Sequence, residues 1–303
     1  MERPLVVGID GSDPSLLAVD WAVDEAVRRG SPLRLVHASM WERHENDTAS
    51  HGTRRPAKQV TAEHIIATAA ERAGRRSPGV RVTADIVSAE AADVLLREGE
   101  HASVVVTGVR GRGELAGLLL GSVSLAVAAR SLCPVVVVRG DRVALSGQHE
   151  RVLLGVGVSA AGEEAVRFAF RAAEERHSTV DAVRAWRCPA HEGSDDPALA
   201  EAPARYHEEQ ASVLLDKALA DVAADHPGVR VRRATVEGPA RKVLVDRSAA
   251  ADLVVVGALR RPGHFGLQLG RVSHTLLHHA QCPVAVVPHR DQGASSPSRG
   301  EPQ

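Results

Sequence analysis

Lysine is nearly missing from this chain: of 37 Lys and Arg residues, only Lys58, Lys217 and Lys242 are lysines. None of the three stands in a G-x4-G-K-[S/T] context, so the lysine loop that cradles phosphates in many nucleotide hydrolases is ruled out. Net charge is missing too. The 37 basic residues face 38 Asp and Glu. No broad positive field exists to hold a nucleic-acid backbone or an anionic membrane surface. Cysteine is scarce, with only Cys133, Cys188 and Cys282. An odd, widely spaced set is no disulfide framework, and there is no CxxC pair. Cys133 and Cys282 each precede a proline and an apolar run, which predicts small buried hydrophobes rather than redox centres. No HExxH motif occurs. Apolar runs are short: Val135 to Val138 is typical, whereas a bilayer span needs about 20 residues. The first residues, MERPLVVGIDGS, do not follow the charged-then-apolar order of an export signal. Together these readings predict a cytoplasmic protein with neither nucleic acid nor membrane as its partner.

What is present is 303 residues with 44% hydrophobic content, which suggests two domains of ordinary size, each able to bury a core. The two halves repeat one another. Leu5-Val-Val-Gly-Ile-Asp-Gly-Ser12 resembles Val152-Leu-Leu-Gly-Val-Gly-Val-Ser159, 147 residues further on. Leu35-Val-His-Ala38 resembles Ala182-Val-Arg-Ala185 at the same offset. Val104-Val-Val-Thr-Gly108 resembles Leu253-Val-Val-Val-Gly257, and Cys133-Pro-Val-Val-Val-Val138 resembles Cys282-Pro-Val-Ala-Val-Val287, both 149 residues on. The period is too long for a solenoid unit, so the chain carries a duplicated domain.

Within each half, short apolar runs alternate with helical patterns. In the first half the expected strands are Leu5–Ile9, Leu33–Ala38, Val80–Val87, Val104–Gly108 and Val135–Arg139. Continuous apolar runs of this length suit parallel strands covered on both faces. Alternating strands and helices imply an α/β class with a doubly wound parallel sheet. Pro14 fits a first helical position, with Asp13 before it as the expected N-cap. Leu17, Trp21, Ala22, Val23 and Ala26 supply the apolar stripe of that helix. The expected domains are 1–139 and 151–290. Residues 140–150 read as a linker and 291–303 as a Gly/Ser/Pro-rich disordered tail. The polar stretch from Met40 to Val60 reads as a long loop.

One motif carries chemistry. Gly108-Val-Arg-Gly111 is followed by nine residues and then Gly121-Ser122-Val123-Ser124. This resembles the G-x2-G-x9-G-[S/T] pattern of ATP-binding universal stress proteins. With Ile9-Asp10-Gly11-Ser12 and the Cys-Pro-Val-Val-Val-Val strand, the resemblance extends over both halves. The physics agrees. Glycines after a strand let the backbone turn and approach a ligand closely. The helix opened by Gly121 presents free amides and a positive dipole end to phosphate. Ligands of open α/β sheets bind at the carboxyl ends of strands where the order reverses, so Asp10 and Gly108 should share one crevice.

The resemblance implies two tandem Rossmann-like domains, each a five-stranded parallel sheet with helices on both faces. It implies ATP as ligand, with or without magnesium. Gly8 would belong to the binding site, Asp10 would hold the ribose or adenosine end, and Ala38 would meet adenine through its backbone. Thr107, Gly108, Gly111, Gly121, Ser122, Val123 and Ser124 would contact ribose and phosphates, with Ser122 and Ser124 adding hydroxyl donors. Arg110 and Arg112 are equally well read as phosphate partners or as solvated loop arginines. The last strands, Val135–Val138 and Val284–Val287, resemble the family's dimerising edge strands. Two fused copies would pair them within one chain, leaving open a homodimer and an unidentified protein partner.

The second half departs from the pattern. Asp10 becomes Gly157, Gly111 becomes Arg260 and Ser122 becomes Arg271, while Gly257, Gly270 and Ser273 survive. That site is expected to be vacant or altered, with its two arginines able to take some anion. Gly155-Val-Gly157-Val-Ser-Ala160 satisfies a loose dinucleotide fingerprint, but Val183-Arg-Ala-Trp186 supplies no carboxylate for a ribose, which argues against NAD. His274 and His278 have i,i+4 spacing without a third ligand, so an interface or surface role is expected rather than a metal. No catalytic residue is assigned. Around the glycine motif the only acid is Glu114. The expected function is therefore a nucleotide-dependent regulatory module of the stress response. The alternatives are a slow ATPase or autokinase, and a non-binding interaction scaffold.

Overall fold

Each half opens with an apolar run that becomes a strand covered on both faces. The computed structural model describes residues 2–40, 57–111, 120–157, 161–188, 197–258 and 269–289. The first half runs β1 (Leu5–Gly8), α1 (Asp13–Arg29), β2 (Leu33–Ala38), α2 (Ala57–Arg76), β3 (Val82–Val87), α3 (Ala91–Gly99), β4 (Val104–Gly108), α4 (Ser122–Arg130) and β5 (Val135–Val138). A short helix, α5 (Arg142–Leu145), follows. The second half runs β6 (Arg151–Gly155), α6 (Ala161–Glu175), β7 (Thr179–Trp186), α7 (Pro197–Asp225), β8 (Val231–Glu237), α8 (Ala240–Ser248), β9 (Leu253–Ala258), α9 (Arg271–His279) and β10 (Val284–Pro288).

The ten strands form one sheet in the order β3-β2-β1-β4-β5-β10-β9-β6-β7-β8. Pairing within each half is parallel. The halves join where β5 meets β10 antiparallel, with Val137 opposite Val284 and Val135 opposite Val286. The edge strands expected to pair within one chain thus do so. Side chains of β5 and β10 alternate between two core layers. Val136 and Ala285 pack into the layer under α1, α2, α6 and α7. Val135, Val137, Val284 and Val286 pack into the layer under α3, α4, α8 and α9. Each layer is continuous across the seam, so neither half has a core wholly its own.

The seam also carries charge. Glu25 of α1 is fully buried and accepts hydrogen bonds from Arg28, Arg29 and, across the seam, Arg176. Arg29 lies over the Phe168 ring at 5.4 Å, and Arg176 over the Trp21 ring at 5.7 Å, a pseudo-symmetric exchange of cation–π contacts. Burial pushes the Glu25 carboxyl up, but Arg176, Arg29 and Arg28 together outweigh it and hold the carboxyl below its ordinary value of 4.5.

Local details correct the sequence reading. Ser12, not Asp13, caps α1: its backbone is extended, and its hydroxyl accepts from the Ser15 amide at 3.4 Å, while Asp13 is already helical. β1 ends at Gly8, β3 begins at Val82, and β5 ends at Val138. Of the expected loop from Met40 to Val60, residues 57–60 belong to α2 and 41–56 lie outside the described residues. The stretch read as a linker holds α5, capped by the Asp141 carboxylate on the Ala144 amide at 2.9 Å. The tail from 291 lies outside the described residues. Cys133 and Cys282 are buried and form no disulfide, and burial pushes the Cys282 thiol far up, away from reactivity. Among the described residues no helix is long and apolar enough to cross a membrane.

Candidate functional site

β1 and β4 are neighbours at the point where strand order reverses, and their carboxyl ends open into a cavity of about 460 Å³. All ten residues singled out in the sequence line it: Gly8, Asp10, Ala38, Thr107, Gly108, Gly111, Gly121, Ser122, Val123 and Ser124. Arg110 lines it as well; Arg112 and Glu114 lie outside the described residues.

The first turn of α1 shapes the floor. Asp10 Oδ1 accepts from the Ser12 amide at 3.0 Å and the Ser12 hydroxyl at 2.6 Å. Ser12 in turn caps α1, so the carboxylate is fixed by a local turn rather than left to swing. Gly111 lies against this carboxylate: a Cβ there would sit 2.3 Å from Asp10 Oδ2, and the carboxylate would have to shift. Gly108 is required by packing, because its Cβ would meet the Pro14 carbonyl oxygen at 2.5 Å. The sequence argument gave both glycines to ligand approach; the structure gives Gly108 to the contact between β4 and α1. Gly121 differs from both. Among the described residues a Cβ there finds nothing nearer than Arg110 Cα at 3.5 Å, an ordinary contact. The fold tolerates a side chain at Gly121, and that side chain would occupy the cavity mouth.

The far wall is the start of α4. Gly121 is its N-cap and gives it no side-chain hydrogen bond, so the first helical amides face outward without a capping acceptor. Ser122 is exposed beside them. Ser124 corrects an expectation: its hydroxyl donates to the Gly108 carbonyl at 2.8 Å. A hydroxyl has a single proton, so Ser124 fastens α4 to β4 and has none left for phosphate. Thr107 is buried, and its Oγ1 has no hydrogen-bond partner, an unmet polar group in the cavity wall.

Sequence reasoning missed Ser15, Ala91, Val94, Leu95 and Leu120, which also line the cavity. Val94 and Leu95 look in sequence like any core-facing pair of a helix. Ser15 is buried under a hydroxyl bond to the Ser12 carbonyl at 2.8 Å, a local contact with no motif to flag it. Leu120 brings in the other half: its amide donates to His278 Nδ1 of α9 at 3.4 Å. His278, expected at an interface or surface, therefore touches the segment leading into Gly121.

The second half diverges at the equivalent place. His37 Nδ1 lies 2.8 Å from the Ile9 carbonyl in the first half. Its counterpart Arg184 reaches further, donating to the Val156 and Gly157 carbonyls at 3.4 and 3.1 Å. Gly157 stands where Asp10 would be, so a guanidinium spans the strand end that carries a carboxylate in the first half. Arg260 lies outside the described residues.

The comparisons with known proteins agree with this architecture. The model of the universal stress protein family matches residues 1–139 and again 149–288. The universal stress protein Rv2005c of Mycobacterium tuberculosis is 34% identical over 308 residues, covering 94% of this chain and 97% of that protein. A second protein of that organism, Rv2623, is 34% identical over 294 residues, covering 93% and 95%. Among solved structures, a universal stress protein from Archaeoglobus fulgidus superposes with a TM-score of 0.66 at 17% identity, over 94% of this chain and 98% of that one, which speaks to the fold. With two matches to the family model and full-length relatives at this identity, the chain belongs to the universal stress protein family, as a tandem pair of its domains.

Proposed function

We propose that the first half binds one ATP per chain, and that occupancy of this site, rather than turnover, is what the protein uses as a regulatory module of the stress response in the cytoplasm. The observation that carries this reading is the convergence of all ten motif positions on one cavity at the switch point of the sheet. The residues fit the ligand. The uncapped start of α4 offers amides and a positive dipole end to phosphate oxygens. The unpartnered Thr107 hydroxyl and the fixed Asp10 carboxylate offer a donor and an acceptor to ribose hydroxyls. Val36, Val94 and Leu95 supply an apolar wall for a base beside Ala38. A magnesium ion would arrive with the triphosphate, since Asp10 is the only carboxylate lining the cavity among the described residues.

Fast phosphoryl transfer needs charge stabilisation at the transferring group and a positioned nucleophile. Helix-end amides and Ser122 hold the ground-state phosphate about as well as the transition state, and uniform binding does not raise turnover. Occupancy is read instead by a protein partner or by the second half, to which Leu120 is already tied through His278. A thermal-shift series with ATP, ADP, AMP, cyclic AMP and NAD tests the reading. ATP at about 100 times its Kd should stabilise the chain by about 2.7 kcal/mol, and NAD should not. Stabilisation by NAD instead, or by no adenine nucleotide, contradicts it. Steady-state hydrolysis of about 1 per second or faster, abolished by Asp10→Ala, would make the protein an enzyme.

A further inference from the structure

We infer that the second half carries an anion site of its own, overlapping the place of the first half's nucleotide crevice and built for a compact polyanion with phosphoryl oxygens. A cavity of about 270 Å³ opens there between the ends of β7, α8 and α9. Arg187, Arg241 and Arg271 line it. All three are exposed, and none of their guanidinium groups makes an ion pair or hydrogen bond among the described residues. Among the described residues no carboxylate lines this cavity.

At the equivalent positions the first half has Met40, Ala92 and Ser122, so all three guanidinium groups are peculiar to the second half. A fourth difference has the same sign. Glu90 caps α3 in the first half, its carboxylate accepting from the Ala91 amide at 3.1 Å. In the second half Pro239 stands there, and α8 begins with no side-chain cap. Four positions that carry one negative charge in the first half carry three positive ones in the second, all around a concavity. Solvated arginines scattered over a surface would show no such concentration. Guanidinium forks suit phosphoryl oxygens bidentately, and three of them call for more than a single charge.

The same differences leave Gly157 where the first half offers the Asp10 carboxylate to a ribose. Arg184 spans the end of β6, and the cavity walls come from the ends of β7, α8 and α9. The ligand is therefore small and densely charged. It is either free polyphosphate or the phosphate groups of a phosphorylated small molecule.

The test uses the full chain carrying Gly121→Val, so that the first cavity is closed to phosphate, with calorimetry at low and physiological salt. Pyrophosphate, a hexose bisphosphate and inorganic phosphate are titrated in turn. Pyrophosphate is expected to bind at one per chain, at least tenfold tighter than inorganic phosphate. Preference between pyrophosphate and the bisphosphate identifies the source. R241A/R271A should weaken binding at least tenfold. R241K/R271K should restore part of it, since charge returns but the fork does not. These are exposed side chains, so folding is preserved, and circular dichroism checks it. The proposal is overturned if pyrophosphate gives no heat at millimolar concentration, if R241A/R271A binds it as tightly as its parent, or if a single-stranded RNA oligonucleotide outcompetes it at these arginines. Because the first cavity is closed throughout, failure here leaves the ATP reading standing. Failure of ATP to bind the unsubstituted chain leaves this site standing.

Discussion

In the first half the carboxyl ends of β1 and β4 open into a cavity with a fixed carboxylate on one side and an uncapped helix start on the other. In the second half the matching strand end is spanned by Arg184, and the cavity beside it is lined by three arginines. The scaffold is nevertheless the same: the same strand order, the same antiparallel seam, the same two core layers. The difference teaches that duplication preserved what the core demands and released what only a ligand demands. Gly8 and Gly155 both persist, because a Cβ at either would meet a leucine of the packed helix at 2.7 Å. Asp10 and Ser122, which pack no core, changed to Gly157 and Arg271.

The strongest way to disturb the comparison is to break the seam that makes the halves one unit. Glu25→Gln leaves Arg176 buried without its charge partner, and breaking a buried pair costs about 3–5 kcal/mol. Urea denaturation should show that loss as one cooperative shift of both halves. The same carboxylate sets an acid limit. Its folded value lies below 4.5, so its stabilisation is present above that value and lost as pH falls through the folded one. Glu25→Gln should flatten that part of the acid profile. A smaller effect belongs to the ligand. Asp10→Ala should weaken ATP about tenfold, about 1.4 kcal/mol, by calorimetry. The reverse change, Gly157→Asp, should create no second ATP site, because Arg184 still spans that strand end. Two ATP per chain in that variant would show that the carboxylate alone separates the halves.

The smallest effect concerns the contact between the halves at the cavity. Burial, followed by His274, His279 and Arg139, pushes the His278 imidazole below its ordinary value of 6.5. Below that value the unfolded chain takes up a proton that the folded chain refuses, so stability falls with pH until the folded value is passed. His278→Gln should reduce the stability difference between about pH 7.5 and about pH 5.5, as read by denaturant midpoints. An unchanged slope would remove His278 from the account.

Most of this architecture was legible in the sequence because repeats and apolar runs report directly on strands covered on both faces. The glycine spacing likewise marked the cavity, since those positions sit at strand and helix ends. What escaped was set by three-dimensional neighbours. Gly108 answers to Pro14, far away in sequence. The Ser124 hydroxyl is spent on Gly108. Ser12 rather than Asp13 caps α1, a choice between adjacent good caps that only backbone geometry decides. Arg187 and Arg241 carry no motif, and only the folding of β7 against α8 brings them to one cavity.

The central claim is that the two cavities differ in kind, and titration of ATP into the full-length chain tests it most directly, alongside Gly121→Val and its mirror Gly270→Val. Both glycines are helix N-caps with room for a side chain among the described residues, so both variants should fold. The account predicts one ATP per chain, loss of at least about 100-fold in affinity for Gly121→Val, about 2.7 kcal/mol, and no change for Gly270→Val. Two ATP per chain, or binding that survives Gly121→Val and is lost with Gly270→Val, would contradict it.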